Sequence, residues 1–194
     1  MIKKITSLLL ILLLSGCFAN EKKEEKSSDT KTAQPSSLFT LKTIKGQTIH
    51  IDETQGGLTF HEFKDKATIF VFFGYRCPPC LREIPELIAL KNEKHKDLAI
   101  VGLEVQGLDP QGLTDFAQRH KINYPLISAK NNSNFISYVA QRANWQGAIP
   151  FLLGFDKKGV VQVVHTGGIT KVAFEKIYTM LTSQSTQDQN LTHK

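Results

Sequence analysis

Apolar positions fall along this chain in blocks of different period. Ala67–Phe73, ATIFVFF, is an unbroken run of branched and aromatic residues, the pattern of a strand buried on both faces. Leu98–Val105, LAIVGLEV, repeats it. Between them Leu81, Ile84, Leu87 and Ile88 recur at helical spacing, with Pro85 inside the pattern. Leu38–Lys42 and Thr48–Ile51 alternate apolar and polar residues around Lys45-Gly46, a hairpin signal. Gln111–His120 and Asn134–Arg142 read as helices, and Tyr124–Ile127 as a short edge strand. Phe151–Phe155, FLLGF, and Val160–His165, VVQVVH, flank the turn Asp156-Lys157-Lys158-Gly159 and predict an antiparallel pair. Ile169–Leu181 closes as a helix with apolar Val172, Phe174, Ile177, Tyr178 and Leu181. Strands alternate with helices and a hairpin follows, so the class is α/β with a mixed sheet.

The ends carry a different message. Lys3 and Lys4 precede the apolar run Ser7–Leu14, SLLLILLL, which is far shorter than the ~20 residues of a membrane-spanning helix and fits a secretory signal. Leu14-Ser15-Gly16-Cys17 resembles the bacterial lipobox, in which cleavage precedes the Cys and its thiol carries diacylglycerol. Residues 1–16 are therefore expected to be a lipoprotein signal peptide, and Cys17 a lipidation site. That places the protein in a bacterial cell envelope, anchored on the extracytoplasmic (periplasmic) side of a membrane. Residues 20–37 contain no aromatic or branched aliphatic side chain and cannot offset their ordering entropy by burial. Residues 17–37 thus read as a lipidated Cys and flexible tether spanning roughly 20–25 Å. Residues 38–182 form the folded domain, and 183–194 a polar tail.

Composition narrows the chemistry. With 194 residues, 41% hydrophobic and 22% charged, one globular domain with extensions is expected. The net charge of +6 is scattered without a basic run, which argues against a nucleic-acid partner. Of three Cys, one is assigned to the anchor, leaving the C-x-x-C of Cys77 and Cys80. A zinc ribbon needs a second pair, and the six His are scattered, so no metal is assigned. A structural disulfide closing so small a loop would stabilise little. Placement at the end of a buried strand and the start of a helix favours a reversible dithiol. Cys77 at the N-cap meets the positive end of the helix dipole, which favours thiolate. Cys80 lies one turn on, within bonding reach. Pro78 and Pro79 carry no N–H, so the Cys80 N–H is the donor left for the Cys77 sulfur.

FVFFGYRCPPCLREIPEL resembles the active-site stretch of the thioredoxin superfamily, specifically the TlpA/ResA-like membrane-tethered thiol–disulfide oxidoreductases. The resemblance extends over most of 38–182, through QRHKINYPLI and AIPFLLGFDKKG. It implies a thioredoxin-like fold, a mixed central sheet flanked by helices with an N-terminal β-hairpin. It also implies a redox-active Cys77–Cys80 disulfide with Cys77 attacking and Cys80 resolving. The Ile149–Pro150 bond matches the cis-proline of the family, and Ile149, Pro150 and Arg76 would border the substrate groove. Pro85 matches a helix-kinking proline. Glu83 matches a glutamate that could exchange protons with the resolving Cys; the alternative for it is a solvated first-turn carboxylate. Arg76 stands where the family usually has Trp, and reads either as a solvated loop cation or as a stabiliser of the thiolate; Phe151 stands where Thr is common, and Val71 where thioredoxins bury an acid.

The implied partners are a disulfide-containing client protein and a membrane electron donor, with no cofactor beyond the dithiol and a monomeric state. With two proline-deleted donors and no His between the cysteines, the dithiol is expected to be a reductant nearer thioredoxin's ~−270 mV than DsbA's ~−120 mV. Three other readings compete. An SCO-like copper-handling protein would space its cysteines C-x-x-x-C and add a His. A peroxiredoxin would place Pro and Thr before its reactive Cys, and VFFGYR has neither. A non-catalytic thioredoxin-fold lipoprotein would have no reason to keep both cysteines.

Overall fold

A computed structural model describes residues 38–183. The expected signal peptide, lipidation site Cys17 and tether, and the expected tail beyond Ser183, lie outside the described residues.

The described residues open with three short strands, β1 (Phe39–Lys42), β2 (Thr48–Thr54) and β3 (Gly57–Phe60), paired antiparallel in the order β1-β2-β3. The expected hairpin is present, and a third strand extends it. The β1–β2 turn uses Gly46 at φ 78°, a conformation glycine adopts without steric cost. β4 (Ala67–Phe73) follows, then α1 (Pro78–Glu93), β5 (Leu98–Glu104), α2 (Pro110–Arg119) and β6 (Leu126–Ser128). The second half comprises α3 (Ser133–Arg142), β7 (Phe151–Phe155), β8 (Val161–Thr166) and α4 (Lys171–Ser183). The five later strands make one sheet in the order β6-β5-β4-β7-β8. β4, β5 and β6 run parallel, and β7 and β8 run antiparallel to their neighbours.

Side-chain alternation along β4 divides the core in two. Ile69, Val71 and Phe73 face one side, where Ile84, Leu87 and Leu90 of α1, Leu113 and Phe116 of α2, and Phe174 and Leu181 of α4 cover them. Phe70 and Phe72 face the other, beneath Phe135 and Val139 of α3 and Leu41, Ile51 and Phe60 of the small sheet. β4 and β5 are therefore buried on both faces, which is why they read as unbroken apolar runs. The buried positions of α1, Cys80, Glu83, Ile84, Leu87 and Leu90, form one stripe at helical spacing. Pro85 lies inside this helix without ending it. β4 runs straight into Gly74 and then Cys77, so the central strand delivers the cysteine pair to the carboxyl end of the sheet.

Candidate active site

Cys77 has extended backbone (φ −98°, ψ 101°) and caps α1, with Pro78 and Pro79 in the first two helical positions. Prolines suit the first turn because N–H groups there have no partner within the helix. The Cys80 N–H donates to Cys77 Sγ at 3.3 Å. Cys77 and Cys80 are joined as a disulfide with Cα atoms 5.2 Å apart, and they are only 5% and 2% exposed. Cys77 N–H donates to Gly74 O at 3.1 Å, closing the turn that leads from β4 into the helix.

Glu83, one turn after Cys80, is 3% exposed and so is no solvated surface carboxylate. Its Oε1 accepts the Ile169 N–H at 2.5 Å. Burial, partly offset by that hydrogen bond and by Arg82, raises the Glu83 carboxyl from 4.5 to about 7. Burial, and then the Glu83 charge, push the neighbouring Tyr124 hydroxyl well above its ordinary range. Such a carboxyl takes up and releases a proton near neutral pH, the property a thiol proton acceptor needs.

Pro150 is buried and precedes β7, with the Ile149–Pro150 bond cis. Because Phe151 pairs with Phe72, Pro150 lies at the same end of the sheet as the Gly74–Cys77 turn. Ile149 packs against the core that holds both cysteines. The β8–α4 loop ties these parts together, which sequence reasoning missed. Gly167 N–H donates to Pro150 O at 2.8 Å, and Ile169 N–H reaches Glu83. A Cβ on Gly168 would sit 3.7 Å from Pro79 Cβ and 3.8 Å from Glu83 Oε1. Gly167-Gly168 was the available signal, but nothing in it names the partners. Arg76 is exposed, and its guanidinium lies over its neighbour's ring, 4.8 Å from the Tyr75 centroid. Among the described residues no three His, Cys, Asp or Glu side chains converge to share a metal.

A cysteine pair at a helix N-terminus, with a cis-proline at the same end of a five-stranded mixed sheet, is the architecture of a thioredoxin-like dithiol/disulfide centre. The fold is thioredoxin-like: a thiol:disulfide interchange protein of the thioredoxin family from Chlorobium tepidum TLS superposes with a TM-score of 0.61 at 23% identity, over 76% of this chain and 95% of that one. Residues 33–164 match the AhpC/TSA family, and the chain belongs to it. It is similar to the thioredoxin-like protein YneN of Bacillus subtilis, 25% identical over 181 residues, covering 91% of this chain and 97% of that one. It is also similar to the thiol-disulfide oxidoreductase ResA of Halalkalibacterium halodurans, 24% identical over 144 residues, covering 74% and 73%.

Proposed function

We propose that this protein is a lipid-anchored, extracytoplasmic thiol–disulfide oxidoreductase that reduces the disulfides of client proteins. The observation that carries this reading is the Cys77–Cys80 disulfide at the N-terminus of α1, where a single backbone N–H donates to the capping sulfur. Relatives named as thiol-disulfide oxidoreductases support the reaction class.

The reduced Cys77 thiolate attacks one sulfur of a client disulfide, and the other client sulfur leaves as a thiolate that takes a proton from water. Cys80 gives its proton to the Glu83 carboxylate and attacks Cys77 Sγ in the mixed disulfide. The second client sulfur departs and takes that proton. Two electrons have moved to the client, and the Cys77–Cys80 disulfide is the product. A membrane-bound dithiol donor returns the two electrons through the same sulfurs. Ile149, Pro150 and Arg76 border the groove in which the client disulfide lies.

The direction follows from how little holds the thiolate. Strongly oxidising dithiols owe their potential to a stabilised reduced form. Here Pro78 and Pro79 remove two donors, and the Arg76 guanidinium is placed over Tyr75. Equilibrating the protein with glutathione buffers should give a midpoint near thioredoxin's ~−270 mV, and a value above about −170 mV overturns the reductase reading. Cys80→Ser should accumulate clients disulfide-linked to Cys77, which mass spectrometry identifies.

A further inference from the structure

Glu104 ends β5 as a carboxylate with no exposed surface. Its oxygens accept three successive backbone N–H groups, from Gln106 at 2.8 Å, Gly107 at 3.1 Å and Leu108 at 2.8 Å. Consecutive N–H groups wrapped around one anion form a rigid nest, and Gly107 at φ 101° supplies the turn it requires. Ser128 Oγ donates to Leu108 O at 2.5 Å and fastens the same loop to β6. From this braced loop the Gln106 side chain reaches across to the segment that leads into the cysteine pair. Its Oε1 accepts the Arg76 N–H at 2.9 Å. Gly74 completes the fit, because a Cβ there would lie 2.2 Å from Gln106 Cδ.

We propose that Gln106 is a positioning residue for Cys77, and that Glu104 is the brace that fixes Gln106. The proposal deepens the oxidoreductase reading and rests on it for its biological meaning. Within the Gly74–Cys77 turn, the Cys77 N–H is satisfied inside the turn, while the Arg76 N–H points out of it to Gln106. In the reduced protein the S–S bond no longer ties Cys77 to the helix. Its sulfur is then located by this turn and by the one Cys80 N–H. With a single donor, a small displacement of the sulfur loses the stabilisation of the thiolate, and sub-ångström placement of a nucleophile governs its rate. Gln106 reaches the Arg76 N–H, whereas the Cys77 sulfur accepts from the Cys80 N–H, so the influence of Gln106 passes through the Arg76 backbone.

The test uses the full-length reduced protein, with iodoacetamide alkylation of Cys77 followed against pH. Gln106→Met keeps the side-chain length and removes the acceptor, whereas Gly74→Ala pushes the Gln106 side chain aside and leaves its chemistry intact. Each should raise the Cys77 thiol pKa and slow alkylation at pH 7 by roughly three- to tenfold. The double variant should be no slower than either single, because both changes break one contact. Gln106→Glu keeps an oxygen for the Arg76 N–H and adds a negative charge, so its slowing should fade as salt is raised. The Gln106→Met effect should not fade.

Wild-type alkylation profiles in Gln106→Met and Gly74→Ala overturn the proposal. So does a lowered melting temperature with an unchanged Cys77 titration, which would make the contact merely structural. Should Gln106→Met not fold, Gly74→Ala carries the same comparison. Peptide mapping assigns the alkylation to Cys77 rather than to Cys80 or Cys17, and that rate is read without a redox buffer, so a midpoint that overturns the reductase reading leaves this result standing, and the reverse also holds.

Discussion

Burial raises the Glu83 carboxyl to about 7 against an ordinary 4.5, and the shift has a sign for stability as well as for chemistry. Between those values the folded protein keeps a proton that the unfolded chain has released. The native state binds more protons, so stability falls as pH rises through this window and levels off above it. At about 1.4 kcal/mol per unit, the full loss is roughly 3 kcal/mol. Glu83→Gln cannot ionise and keeps a carbonyl oxygen for the Ile169 N–H. At pH 8 the oxidised variant should therefore melt roughly 5 °C or more above wild type, and its melting temperature should be flat from pH 5 to 7.5. If Glu83 is the proposed proton acceptor, resolution by Cys80 should slow, most of all near neutral pH. Thermal melts at both pH values check the first expectation, stopped-flow thiol exchange the second; parallel pH slopes for the two proteins would return Glu83 to an ordinary role. The spacing of Glu83 from Cys80 was legible as one helix face. Its burial was not, because that depends on Ile169, 86 residues further on. Gln106 was likewise unreadable, since its partner Arg76 lies 30 residues away across two elements.

The elements most legible in the sequence are those whose own residues decide their state. β4, β5 and β7 are continuous apolar runs because both faces are covered, and α1 announces itself by its stripe and its N-terminal prolines. β3 was missed for the opposite reason. GLTF follows Gln55-Gly56, carries only two buried apolar residues, and becomes a strand by pairing with β2 in the register Ile51 opposite Phe60. α4 begins at Lys171, later than the apolar pattern suggests, because Ile169 is taken up by the loop that reaches Glu83. Phe60 shows what the missed strand contributes. Its ring lies 5.1 Å from Phe70 and 5.0 Å from Phe155, centroid to centroid, joining the small sheet to the large one. Phe60→Ala should cost about 3–5 kcal/mol in denaturant unfolding while leaving the Cys77 titration unchanged, since this cluster lies across the main sheet from the cysteines. A loss below about 1 kcal/mol would mean that the small sheet opens independently of the main core.

At the scale of the whole molecule, chemistry and location are carried by separate parts of the chain. Every group of the proposed dithiol site lies between Gly74 and Ile169, within the described residues. The proposed address, the lipobox ending in Cys17, lies outside them, and among the described residues no helix is long and apolar enough to cross a membrane. A dithiol acting as the proposed reductase must be recharged after each turnover, because one client disulfide consumes both of its electrons. If the donor is fixed in the membrane, the proposed acyl anchor would hold the domain near it. Such confinement raises the effective concentration of donor and acceptor without any new contact. Cys17→Ala removes the acceptor thiol for lipid and should yield either an uncleaved precursor or a protein released from the membrane fraction. Purified, that variant should keep the wild-type glutathione midpoint and Cys77 titration, because its site is untouched. In cells, its Cys77–Cys80 pair should shift toward the disulfide as recharging slows, which alkylation with a mass-tagged maleimide reads directly. A mature Cys17→Ala protein that still partitions with detergent-phase membranes refutes the lipid anchor. A released protein whose cysteines stay reduced in cells refutes the membrane donor instead.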